Sequence, residues 1–323
     1  MDLPARRQPP TVRLRRLASE LRGLRSAAGL TREDVSEQTG INSATLYRIE
    51  TAKVRPQRRT LLTLLDKYGI TDTDRRTEMV ALSRQATELD WLHRYESELP
   101  EAHLTYISFE AEARSIRNYE SLFVPGLLQT EQYARAVIAG GLPFASRDEV
   151  EHRVEARMRR KPFLARTPPL QLWAILDEAV LRRQVGGPTV MAAQLAALLE
   201  AAEAPDITIQ VLPYSVGAHP GMAGSFAVMD FPSPADPELV YIDSMAGDLF
   251  LEREPDVRRY TRIFEHLRAT ALNPADSLRL ISGIGTTAEQ GREVQASGQP
   301  EPPPGDLAQE QPVKRQRAVR RGR

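Results

Sequence analysis

Residues 30–50 read LTREDVSEQTGINSATLYRIE, and the order of caps in this run decides the architecture of the N-terminal region. The Thr31 hydroxyl can accept from the backbone of Asp34 while the Asp34 carboxylate reaches back to Thr31, the reciprocal pairing that starts a helix. Gly40 supplies the left-handed residue that ends it. Ile41 then packs in the turn, and Asn42 caps a second helix over 43–50. Leu46 and Ile49 share one face of that helix, which leaves Ser43, Ala44, Tyr47 and Arg48 on the other. Two capped helices joined by so short a turn cross steeply, a geometry that offers the second helix to a DNA major groove.

The flanks complete the unit. Leu14, Leu17, Ala18, Leu21, Leu24 and Ala28 follow helical spacing, and Thr60 is placed to cap a fourth helix carrying Leu61, Leu62, Leu64 and Leu65. Met79, Val80, Leu82, Ala86 and Leu89 predict a fifth helix over 74–92 that joins this region to the rest of the chain. The expected organisation is a flexible arm over 1–12, an all-α helix-turn-helix domain over 13–70 and a helical connector over 71–103. An α+β domain over 104–284 and a disordered, basic-ended tail over 285–323 follow.

Charge, counted by region, points to nucleic acid. The chain has 43 basic and 43 acidic residues, but residues 1–67 hold 14 Lys and Arg against 7 Asp and Glu, whereas residues 68–284 hold 22 against 31. A basic head on an acidic body is what a phosphate-binding module shows, and double-stranded DNA is the expected partner. The 323 residues exceed one small domain, and the absence of Cys fits a reducing, cytoplasmic setting. No run of 18 apolar residues occurs and the first residues carry no apolar signal core, so no membrane association is expected.

In the body, residues 171–176, 207–212, 225–231 and 239–243 read as strands, and 190–204 and 256–271 as helices. Helices interleaved with strands predict an α+β fold with a mixed sheet. From Gly285 apolar content falls away, and SGQPEPPPG at 297–305 cannot bury enough surface to offset chain entropy. The last 11 residues hold six Lys and Arg and no acid, which suits either a sequence-blind DNA contact or a solubilising tail.

Enzymatic constellations are sparse. His93, His103, His152, His219 and His266 are scattered with no metal-binding pair at i, i+4, and neither a nucleophile elbow nor a phosphate loop occurs. No catalytic residue, metal or cofactor is expected. Asp177-Glu178 is an isolated acidic pair, and His219-Pro-Gly221 reads as a turn. Thr130 can cap a helix behind the Pro125-Gly126 turn, which would leave an anion site there, although Leu127 and Leu128 read more simply as core. The basic run 157–161 reads as a solvated helix face or as a contact for DNA or an acidic partner.

GLTREDV at 29–35, TGINSAT at 39–45, YRIE at 47–50 and KVRP at 53–56 resemble the Xre family of lambda-repressor-like helix-turn-helix domains. The resemblance implies base-edge contacts from Ser43, Ala44, Tyr47 and Arg48, backbone contacts from Asn42 and Thr45, and a phosphate contact from Arg32. Lys53, Arg55, Arg58 and Arg59 are further phosphate candidates by charge. The chain departs from the family at Thr51-Ala52, where Gly is usual, and at Ser36, where Ala is usual. In the body, YESLFVPGLLQTEQYAR at 119–135, IQVLP at 209–213, GMAGSF at 221–226 and VYID at 240–243 resemble an actinomycete family of antitoxin-like transcriptional regulators. Those proteins join an Xre-type head to a domain of unknown function, often beside a small partner protein encoded next door. Three readings follow. The first is a DNA-binding regulator, expected as a homodimer, whose body senses a ligand or partner. The second is an antitoxin-type protein that neutralises a small partner, and the third is an enzyme with a DNA-binding head.

Overall fold

The structure, a computed structural model, describes residues 12–85, 90–95, 97–233, 236–244 and 247–297, the side chains of 84, 85, 90, 93 and 287–297 excepted. Five helices open the chain: α1 (Val12–Ala27), α2 (Arg32–Thr39), α3 (Ser43–Glu50), α4 (Arg58–Lys67) and α5 (Thr73–Gln85). Leu17 and Leu21 of α1, Val35 of α2, Leu46 and Ile49 of α3, and Leu61, Leu64 and Leu65 of α4 close one buried cluster, to which α5 adds Met79 and Leu82. Each helix thus contributes one apolar stripe, and the fifth helix is part of the head.

The connector therefore differs from expectation. α5 ends at Gln85, and a 3-10 turn at Asp90–Tyr95 packs Leu92 and Tyr95 against Leu104, Ile107 and Ala156 of the body. The described parts of the helix expected over 74–92 serve two different cores, and Ala86 and Leu89 lie outside the described residues. α4 also begins earlier than predicted. Gln57 occupies the cap position without a side-chain hydrogen bond, and Thr60 lies inside the helix.

The body is built from α6 (Glu101–Glu112), β1 (Ser115–Glu120), α7 (Glu131–Gly141), α8 (Arg147–Met158), β2 (Gln171–Asp177), α9 (Glu178–Arg182), α10 (Pro188–Ala201), β3 (Ile207–Leu212), β4 (Phe226–Asp230), β5 (Leu239–Ile242), β6 (Leu249–Leu251), α11 (Glu254–Thr270) and α12 (Pro274–Ser297). The six strands order β3-β2-β1-β4-β5-β6, parallel across β3-β2-β1 and antiparallel from β1 to β6. Side chains alternate across it: Leu172, Ala174, Ile209, Val211, Ala227 and Met229 share the cluster to which α6, α10 and α12 contribute, while Ile175, Val228 and Val240 face Val257, Phe264 and Leu267 of α11. With both faces covered, the strands read as apolar runs.

β1, the strand on which the parallel and antiparallel halves meet, escaped prediction because SIRNYE carries Arg117, Asn118 and Glu120. The last helix runs to Ser297, past the Gly285 at which the tail was expected, and that expectation for 298–323 lies outside the described residues. The arm over 1–11 lies outside them as well, while Val12, counted with the arm, opens α1 and is buried in the core of the body.

Candidate nucleic-acid interface

The turn between α2 and α3 is set by the caps read from the sequence. Thr31 Oγ1 accepts from Asp34 N at 3.1 Å, and Asp34 Oδ2 accepts from Thr31 N at 2.8 Å and from the Thr31 hydroxyl at 2.7 Å. The Thr31 hydroxyl, first, and its backbone N–H hold the Asp34 carboxyl below its ordinary range. Gly40 takes φ 73° and returns its N–H to Ser36 O, and Asn42 Oδ1 accepts from Ala44 N at 2.8 Å. Orphan amide groups at both helix starts are thereby satisfied.

A buried carboxylate then fixes α3 from below. Glu50, 3% exposed, accepts from Arg25 of α1 at 2.6 and 3.1 Å and from Arg32 Nε of α2 at 3.1 Å. Arg25 also donates to Leu30 O at 2.7 Å. Its guanidinium pKa is raised by the hydrogen bond to Glu50, and burial with the Glu50 charge pushes the nearby Tyr68 hydroxyl up to about 12. The sequence held a signal for this anchor: an acid four residues after Leu46, on the apolar face of the helix.

The opposite face is open. Ala44, Tyr47 and Arg48 are exposed and Ser43 and Thr45 are half-buried. Arg48 lies along its own helix, donating from Nε to Ala44 O and from Nη2 to Thr45 Oγ1, each at 3.3 Å, and Ser43 Oγ donates to Glu33 at 3.0 Å. The Tyr47 ring sits between Arg32, 5.2 Å from its centroid, and Lys53, 5.7 Å away. Arg32 is thus held by Glu50 and Tyr47 instead of projecting into solvent. Arg55 donates to Ser83 O at 3.4 Å, which ties the loop after α3 to α5. Arg58 and Arg59 are exposed in the first turn of α4, which has no acid and no side-chain cap. Two cations at the positive end of a helix oppose its dipole, and an arriving phosphate reverses that cost. Ala52, where the resembling family has Gly, takes the left-handed φ of 56°.

Other candidates fall elsewhere. The basic run 157–161 is only in part the solvated face expected: Lys161 is exposed and Arg159 half-exposed, but Arg160 is 3% exposed and paired with Glu110, and Arg157 turns inward to Gln129. Spacing of three residues puts both on the inward face of the turn that ends α8. At Thr130 the backbone N–H is taken by Gln194 Oε1 at 2.7 Å and the hydroxyl accepts from Tyr133 N, so the helix start is filled by the protein itself. Asp177 caps α9 and approaches Tyr119 and His219. Among the described residues no three His, Asp or Glu side chains come together as a metal site, and no helix is long and apolar enough to cross a membrane.

Comparison with known families agrees with both halves of this architecture. Residues 16–77 match a helix-turn-helix domain, and residues 104–283 match the family described as a domain of unknown function, DUF5753. The chain belongs to the DUF5753 family, and its helix-turn-helix head makes it a DNA-binding regulator. The helix-turn-helix match extends into α5, in keeping with the burial of Met79 in the head. No curated protein and no solved structure matched the chain.

Proposed function

We propose that this regulator reads base edges with Ser43, Ala44, Tyr47 and Arg48, steadied on the DNA backbone by Arg32, Asn42, Thr45, Lys53, Arg55, Arg58 and Arg59. Its body senses a partner protein or small ligand in the manner of the actinomycete antitoxin-like regulators and performs no catalysis. The protein works in the cytoplasm as a homodimer, since one head covers too little DNA for tight specific binding and two heads engage half-sites about one helical turn apart. The observation that carries this reading is the exposed face of α3, with Arg48 free to swing outward from a helix anchored underneath by Glu50. An Arg fork on guanine is worth about 1–3 kcal/mol of discrimination. In a binding-site selection, Arg48→Ala is expected to relax preference at one base step; an unchanged preference would refute the assignment.

A further inference from the structure

The body encloses a cavity of about 300 Å3 between α6, α8 and the strands β1, β4 and β5. Its origin lies in the polar residues of β1. Asn118 and Glu120 lie on the same face of this strand as the buried Ile116, where alternation calls for apolar side chains. Packing gains nothing from a carboxylate there.

The hydrogen bonds show which groups are already spent. Asn118 Nδ2 donates to Phe226 O at 3.1 Å and to Glu120 Oε1 at 3.3 Å, and Gln129 Nε2 donates to Val124 O at 2.7 Å. Both amides are thus committed within the protein. Arg160 is closed by Glu110 through two 2.7 Å bonds. Two charged groups remain open. Glu120 Oε2 is enclosed and has no hydrogen-bond partner. Arg157 gives only Nη1 to Gln129 Oε1, at 2.9 Å, and no carboxylate among the described residues lies within ion-pair distance of it.

Their surroundings amplify both. Burial, first, then the charge of Asp243 push the Glu120 carboxyl up to about 7 against the opposing pull of the nearby Ser225 and Asn118 side chains, and burial with neighbouring Arg160 lowers Arg157 to about 10. Burial, with the arginines beside it, holds His103 down to about 3, so that this wall is neutral. Tyr106 and Tyr241 stack with centroids 4.0 Å apart and supply an aromatic wall, and Asp243 stands exposed at the rim. An enclosed charge without a partner is costly, and a ligand bearing the complementary charge removes that cost.

We propose that this cavity binds a zwitterion of amino-acid size with an apolar side chain, its carboxylate on the open fork of Arg157 and its ammonium between Glu120 and Asp243. The aromatic wall takes the side chain, and the volume lies at the small end of ligand pockets. This rests on reading the body as the sensing domain, although occupancy of the cavity is testable without it.

The test uses the full chain and three probes, L-leucine, L-phenylalanine and the dipeptide Leu-Phe, with 3-phenylpropionate and phenethylamine as half-molecules. At least one probe should raise Tm by about 3–5 °C at ten times its dissociation constant, with neither half-molecule doing so. Glu120→Gln, which is isosteric, and Arg157→Met should each weaken binding tenfold or more by calorimetry; should Arg157→Met fail to fold, Glu120→Gln decides alone. No shift from any of the three at about 10 mM, where a millimolar binder is near saturation, overturns the proposal. So does an equal response to a half-molecule, or unchanged binding in Glu120→Gln. Binding without any change in DNA affinity would keep the site and remove the sensing reading. DNA affinity that responds to cell extract while no probe binds would do the reverse.

Discussion

Glu50→Gln isolates what holds the recognition helix in place. The substitution keeps the shape and one acceptor of a side chain that is 3% exposed, but removes the charge facing Arg25 and Arg32. Arg25, itself only 13% exposed, loses the larger share. A hydrogen bond to a charged group contributes about 1.5–3 kcal/mol and a neutral one about 0.5–1.5, so the bond that survives weakens by roughly 1 kcal/mol. The other oxygen becomes an amide N–H directed at a guanidinium, which leaves a buried donor unpaired at a further ~1–2 kcal/mol. Arg32 is more than a third exposed, and solvent screening reduces its share to a few tenths. The head should therefore lose about 2–3 kcal/mol, which for a unit of this size lowers its own melting temperature by ~10–20 °C.

Trp91 and Trp173 are the only tryptophans and neither lies in the five head helices, so tryptophan fluorescence does not follow this unit. Amide hydrogen exchange at Leu46 and Ile49 does, and their opening free energies should fall by the same amount. A fall below about 1 kcal/mol would refute the anchor. So would additivity with Arg25→Met in a double-mutant cycle, because contacting partners couple by roughly 0.5–3 kcal/mol.

Three further outcomes are expected. Arg58→Ala should weaken binding to all DNA sequences alike and lower the salt slope by about one, with a smaller change for Arg32→Ala because Glu50 and Tyr47 already hold that side chain; equal slopes for wild type and Arg58→Ala would discard the contact. Gly221→Ala places a methyl 2.6 Å from Cε1 of the fully buried Tyr119 ring and should cost about 1–3 kcal/mol in urea melts, whereas a neutral result would mean the ring gives way freely. The folded-state pKa of Glu120 is raised above its unfolded value, so the contribution of this group to stability should fall as pH rises from about 4.5 to about 7 and stay level above. Glu120→Gln should then be more stable than wild type at pH 8 by a margin that shrinks toward pH 5, and a pH-independent margin counts against a buried, unpaired carboxylate.

The head was legible because its signals are local. Thr31, Asp34, Gly40 and Asn42 each act within three or four residues, and the structure has every one in the expected place. Four strands were legible for the same reason, as apolar runs between turns. What escaped was set by tertiary context. β1 looks polar because half of it faces a cavity, and a strand that lines a binding site gives up the pattern that would reveal it. The basic run at 157–161 looked like surface because charge is usually solvated, and only the fold shows Glu110 waiting on α6. For Glu50 the sequence shows an acid on the apolar face, but not its partners, because Arg25 and Arg32 close on it from two other helices.

The first helix defines the physical path between the two domains. Val12 is buried in the core of the body, Arg13 approaches Glu112, Arg15 pairs with Glu252 and covers the Phe109 ring, and Arg16 reaches Ser233. Farther along the same helix, Leu17 and Leu21 fill the core of the head and Arg25 holds Glu50. α1 is therefore shared by both domains, and it meets α3 in two ways, through the apolar cluster of Leu17, Leu21, Leu46 and Ile49 and through the Glu50 carboxylate. Contiguity alone is not coupling, which needs two states that both ligands bias. Linkage supplies the criterion. If occupancy of the body cavity changes DNA affinity by some factor, DNA must change affinity for the cavity ligand by the same factor. Glu50→Gln, which removes the carboxylate joining α1 to α3 while leaving the cavity intact, should shrink both factors together. Were it to shrink one and spare the other, at least one of the two measurements would not be reporting equilibrium binding.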